Sequence, residues 1–214
     1  MKISLKILVI AAVVAMSNFS ANADGLKNLL GKLGGGDGNN TLGNIVNNVL
    51  GSTSVELSDL QGSWKTTGPA VVFKSNDLLE KAGGAAASSA IESKLDTYYK
   101  RLGLENIPVS FDNNGTMTMT IKGHSVSGTL TNNGDGSYHL QLGKSGILSK
   151  LGSMTSMTIY LQKSGNNLSV TADATKLVAI ATKLASATDK ATLKTAANLL
   201  NKYDQICIGF RLSK

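Results

Sequence analysis

Apolar residues recur along this chain in two rhythms, and the switches between them outline a fold. From Val109 the rhythm is two. Val109 and Phe111 open it, and Met117, Met119 and Ile121 then alternate with Thr116, Thr118 and Thr120. Met157, Ile159 and Leu161 alternate with Thr158, Tyr160 and Gln162, and Leu168, Val170 and Ala172 follow. This is the period of a strand with one buried and one wetted face. Breaks rich in Gly and Asn separate the runs: Asn113-Asn114-Gly115, Lys122-Gly123, residues 132–136 and Gly165-Asn166-Asn167. Such breaks are hairpin turns. The pattern predicts antiparallel strands over 116–121, 124–131 and 137–142, then around 157–162 and 168–172.

Elsewhere the rhythm is helical. Ala87, Ile91, Leu95, Tyr98 and Leu102 fall three or four apart, which predicts a helix from about Gly84 to Leu102 with Gly103 as its stop. A second helix is expected over Ala174–Ser186. A third, N-capped by Asp189, would bury Leu193, Ala197, Leu200 and Tyr203. Two further strands complete the set. Gly62–Phe73 is interrupted at Gly68-Pro69, where Pro69 lacks the ladder donor and so marks an edge or bend. Ile206, Ile208, Phe210 and Leu212 share one face at the end of the chain, with Cys207, Gly209 and Arg211 on the other. A meander of about eight strands has two edges to hide, and closing into a barrel removes both. The last strand then pairs with the first. A barrel of this size encloses its own side chains or one small ligand.

The N-terminus changes the picture of where this happens. Lys2 and Lys6 precede an apolar run from Ile7 to Met16, and Ala21-Asn22-Ala23 supplies small residues for cleavage. That is the three-part pattern of a secretory signal peptide over residues 1–23. The apolar run is about half the ~20 residues a membrane span needs. Residues 24–58 then form a Gly/Asn-rich leader. Leu26, Leu29, Leu30 and Leu33 sit at helical spacing, as do Leu42, Ile45, Val46, Val49 and Leu50. These amphipathic segments are either a contact for the envelope membrane or a protein partner, or a tether; each is too short to hold a helix alone in water. The barrel domain is expected over 59–214.

Composition adds exclusions. The chain of 214 residues is 42% hydrophobic and 5% aromatic, so a stacking platform for nucleic acid is not expected. Net charge is +7, and two of those charges leave with Lys2 and Lys6, for +5 in the processed chain. The excess is dispersed, which suits mild attraction to acidic surfaces and not a phosphate-gripping patch. The single cysteine, Cys207, forbids an internal disulfide and reads as a small apolar residue of the last strand.

Gly62-Ser63-Trp64 on the first strand and Arg211 on the last resemble the lipocalin and fatty-acid-binding superfamily, in which a Gly-x-Trp motif meets a basic side chain near the barrel end. The contact expected is a guanidinium over an indole. Gly68-Pro69-Ala70-Val71-Val72-Phe73, the Ala/Gly-rich run Ala82–Ala87, Tyr203-Asp204 and the closing Ile208-Gly209-Phe210-x-Leu212-x-Lys214 extend the likeness. Together they resemble a bacterial family of lipocalin-like secreted proteins of unknown function. The resemblance implies a mainly β, calycin-like up-and-down barrel; the helical rhythm adds one helix after the first strand and two before the last, and these two depart from an ordinary lipocalin. The resemblance also implies an exported location, periplasmic, outer-membrane associated or extracellular. It brings no activity and no site residues with it.

Chemistry is sparse. His124 and His139 fall on opposite faces by parity. If Thr131 faces Ser137, they also lie a strand's length apart, so they share no metal. Gly143-Lys144-Ser145 lacks the upstream glycine of a phosphate-binding loop, since that place is Tyr138. Gly123-His124-Ser125-Val126-Ser127-Gly128 has the wrong spacing for a nucleophile turn. No pair of carboxylates stands out as general acid and base. The expectation is a non-catalytic protein without cofactor or metal. Two readings follow. In one, the barrel binds a small apolar ligand lined by Met117, Met119, Met157, Ile159 and Phe210, with Trp64 and Arg211 closing the barrel. In the other, a solid barrel serves a structural or interaction role in the envelope.

Overall fold

The computed structural model describes residues 55–74, 85–121, 123–143, 155–184 and 206–214. The expected signal peptide, the leader as far as residue 54, and the helix expected from Asp189 to Tyr203 lie outside the described residues.

A single turn, α1 (Leu57–Leu60), precedes β1 (Gly62–Phe73), and α2 (Ala85–Leu102) follows it. The meander then runs β2 (Pro108–Phe111), β3 (Thr116–Ile121), β4 (His124–Asn132), β5 (Ser137–Leu142), β6 (Ser156–Ser164) and β7 (Asn167–Asp173). Helix α3 (Ala174–Leu184) and the last strand β8 (Ile206–Ser213) complete it. Every strand pairs antiparallel with its neighbour, and β8 returns to β1, so the sheet is a closed barrel of eight strands. The strand order, the closure and the helix after β1 are as the rhythm predicts. Of the two helices expected before the last strand, the first is α3.

The hairpin around 132–136 turns one residue later than expected, which moves the pairing by two positions. Asn132 pairs with Tyr138 and Thr131 with His139, so His139 does not face Thr129. The cause is Ser137, the first residue of β5, which pairs with Tyr160 on β6 but on the β4 side is tied into the turn. Its N–H and hydroxyl both donate to Asp135 Oδ1, at 2.9 and 2.6 Å, and its carbonyl accepts from Asn133 N–H. The shift is even, so the strand faces are kept: His139 is exposed on the outer face, and the side chain of His124 lies outside the described residues.

Strand β1 serves two neighbours in sequence. Gly62–Lys65 pair with β2, and Lys65–Phe73 pair with β8 across an irregularity between Thr66 and Gly68. Pro69 sits in the stretch that β2 leaves unpaired. It shares an N–H side with Val71, whose amide donates to Glu92 Oε1 on α2 at 2.9 Å. A residue without a donor is therefore harmless at 69. The irregularity is stitched by Thr66, fully buried, whose hydroxyl donates to the Leu104 carbonyl at 2.6 Å and accepts from Ile107 N–H at 2.9 Å.

Helix α2 buries Leu95, as its spacing predicts, and it buries Tyr99 as well. The side chains expected at Ala87, Tyr98 and Leu102 lie outside the described residues. The Tyr99 hydroxyl donates to the Gly209 carbonyl at 2.9 Å, and its ring lies 5.2 Å from that of Phe210. Gly209 is required here: a Cβ would stand 1.9 Å from the Val170 carbonyl oxygen, inside the β7 backbone.

Candidate ligand cup and its rim groove

One end of the barrel is shut. Leu60 from α1 is buried against a core that includes Trp64, Phe111, Leu130, Tyr138 and Leu168. Buried polar atoms find partners. Trp64 Nε1 donates to the Leu60 carbonyl at 2.6 Å, and the Tyr138 hydroxyl donates to the carbonyl of Val55. Burial raises the Tyr138 phenol above its ordinary range, so it remains a donor. Asp59 Oδ2 takes the Glu56 N–H, which closes the turn of α1 on itself, and Lys163 reaches Asp59 at 3.6 Å.

Beyond this packed end lies a belt of less buried residues on five strands, and past it Ile121, Ala172 and Ile208 are buried again. Met119 is less buried than Met117, Leu142 than Leu140, Met157 than Ile159, Val170 than Leu168, and Phe210 than Leu212. In each pair the first residue lies two positions further from the shut end on the same inner face. Leu177 of α3 joins this half-buried ring. An inward side chain that keeps accessible surface borders space that no neighbour fills.

The five residues expected to line a ligand all face inward, but they divide. Met117 and Ile159 are buried in the packed part, at 7% and 2% exposure, while Met119, Met157 and Phe210 belong to the half-buried ring. Sequence reasoning missed Leu142, Val170 and Leu177. The first two stand on the alternation already read for β5 and β7, so parity would have found them.

The closure pair needs correction. Trp64 does meet a cation at the β1–β8 seam, but it is Lys214, with Nζ 4.7 Å from the ring centroid. Arg211 pairs across to Gly68 on the outer face, and its guanidinium lies 2.8 Å from Glu92 Oε2. The reason is register. Lys65 pairs with Ser213, so the residue reaching Trp64 is the one after Ser213, whereas Arg211 has outward parity. Glu92 thus clamps the seam with two oxygens, one on the free amide of β1 and one on β8.

At the rim, the outer faces of β5 and β6 and the first turns of α3 enclose a polar groove. His139, Thr158 and Tyr160 form its floor, with Thr175 and Lys176 on the helix side. Lys74 and Asp173 close one end as an ion pair, and Met157 lines the groove as well as the half-buried ring. Asp173 also N-caps α3, accepting the Lys176 N–H at 3.1 Å. For both members of the pair, burial opposes the charge and their contact overrides it. The Lys74 ammonium is held above its usual range and the Asp173 carboxyl below. Nearby Cys207 is buried and its thiol is pushed up to about 12, first by desolvation. Among the described residues no three His, Cys, Asp or Glu side chains are grouped to hold a metal.

Residues 37–214 match a family described as a lipocalin-like domain, DUF4923. A crystal structure of a DUF4847 family protein from Bacteroides vulgatus superposes with a TM-score of 0.36 at 13% identity, over 72% of this chain and 92% of that one. No curated protein matches the chain.

Proposed function

For a chain that belongs to this lipocalin-like family of unknown function, we propose a non-catalytic role: an exported protein that takes up a small apolar ligand in its barrel. The observation that carries this reading is the half-buried inner ring of Met119, Leu142, Met157, Val170, Leu177 and Phe210. None of the six bears a charge or a strong hydrogen-bonding group, so the space they border suits hydrocarbon better than water. Methionines add a lining that adapts to shape. Export is supported by the three-part pattern of residues 1–23 and places the ligand in the periplasm or outside the cell.

Titration with the neutral fluorophore N-phenyl-1-naphthylamine tests uptake. Bright, saturable fluorescence that a Val170→Phe substitution removes is the expected result. No enhancement, together with no ligand mass in native mass spectra of the purified protein, overturns it. The solid-barrel reading draws on the packed α1 end, and the same negative outcome would favour it.

A further inference from the structure

We propose that the groove between α3 and the outer wall of the barrel is a binding site for a neutral oligosaccharide. The site lies on the outside of the sheet and stands whether or not the barrel holds a ligand.

The inference starts from the charge of the wall. On β3 to β6, every residue with the outward parity of Thr118, Ser127, His139 and Tyr160 is Ser, Thr, Gln, His or Tyr. No Asp, Glu, Lys or Arg stands among them, whereas the β1–β8 seam carries Lys65 and Arg211 on its outer face. A surface that selects a charged partner carries complementary charge. This wall offers hydroxyls, each of which donates and accepts. They stand in cross-strand rows, with Thr118 3.0 Å from Ser127 and Thr120 3.1 Å from Ser125.

Where the wall meets α3 it becomes concave and encloses about 740 Å³, within the range of small-ligand sites. Its floor holds two rings. His139 pairs with Thr158, which sets it diagonal to Tyr160 on the neighbouring strand, about 7–8 Å away. His139 is exposed and Tyr160 half-buried, so neither is spent on the core. A sugar presents C–H groups on its flat face and hydroxyls around its edge. The negative face of an aromatic ring attracts the first. The second are bound by hydroxyls and by a carboxylate fixed in place. Asp173 is such a carboxylate, held at the end of the groove by Lys74 and the Lys176 amide, and the ion pair cancels its charge. Thr158 and Thr175 supply hydroxyls on the two sides. Among the described residues that line the groove, Lys176 is the one further charge, exposed on the helix side. Donors and acceptors therefore stand side by side, as a polyol needs; an anion needs donors alone.

Saturation-transfer NMR and calorimetry with maltotriose, cellotriose, xylotriose and chitotriose, each to about 10 mM, decide the matter, with inorganic phosphate as the competing probe. The proposal expects at least one trisaccharide to bind and phosphate not to displace it. Tyr160→Ser should weaken that binding about tenfold, while Tyr160→Phe, which keeps the ring, should change it by less than about threefold. Thermal melts show whether each variant is folded. Should Tyr160→Ser not fold, His139→Ala, at an exposed position, carries the same direction of effect. Failure of all four trisaccharides overturns the proposal, and so does binding that neither Tyr160→Ser nor His139→Ala weakens. Phosphate bound in their place, and lost in Lys176→Gln, makes the groove an anion site and overturns it as well. Uptake of N-phenyl-1-naphthylamine is read separately, so the cup and the groove fail or stand independently.

Discussion

The two halves of the barrel are built from the same strands and treat their inner face differently. Near α1, Trp64, Tyr138 and Leu168 are each 1% exposed or less, and both polar tips are bonded to the backbone that leads into β1. Two positions further from α1 than Met117, Leu168 and Leu212, the residues Met119, Val170 and Phe210 keep accessible surface, and past them Ile121, Ala172 and Ile208 are buried again. The alternation is identical in both halves, so pattern alone does not decide whether a barrel is solid. What decides it is volume: large rings and a helical plug fill the α1 end, and the half-buried belt beyond it is lined mostly by slim or flexible side chains.

The comparison breaks most easily at its packed end. Trp64→Ala should cost about 3–5 kcal/mol in urea unfolding, because it opens a large void and orphans the Leu60 carbonyl. A loss under 1 kcal/mol would mean the end is not close-packed. Adding volume sharpens the contrast. Leu168→Phe should destabilise by about 1–3 kcal/mol through overpacking. Val170→Phe, one inward step away, should cost under about 0.5 kcal/mol, since space receives the ring. Equal penalties would erase the distinction on which the cup depends.

A smaller effect belongs to the rim. The carboxyl of Asp173 titrates below its unfolded value of 3.8, so its contribution is complete above that value and vanishes as pH falls through the folded one. Lys74 titrates above 10.5, so its contribution is complete below that value and vanishes as pH rises through the folded one. Lys74→Met should therefore cost about 1 kcal/mol at neutral pH and close to nothing at pH 2, read from paired thermal melts. A penalty that stays constant across that range would assign the loss to packing. Smallest of all, Lys214→Ala should cost about 0.5 kcal/mol through the lost cation over Trp64, and Lys214→Arg should restore it.

Much of this architecture could be read from alternation. The strands of Met117, Ile159 and Leu168, the turns at Asn114-Gly115 and Gly165, and the return of β8 to β1 all follow from period and edge avoidance. What escaped was register across an irregular stretch. The step between Thr66 and Gly68 determines which basic residue reaches Trp64, and nothing in the residue types distinguishes Arg211 from Lys214 for that task. The turn at Ser137 shows the same limit, because a side-chain bond to Asp135 goes with a pairing moved by two positions. The inner lining was legible by parity. The groove was not, since it joins Lys74, His139 and Lys176 from elements far apart in sequence, and only closure brings them together.

The seam between β1 and β8 also sets a timetable. Its partners, from Lys65 with Ser213 to Phe73 with Ile206, are separated by most of the domain, which is an extreme of high contact order. A chain made only as far as β7 lacks the strand that completes the ring. Until the eight residues of β8 are available, β1 and β7 keep open edges, and the barrel closes as the last step of its folding.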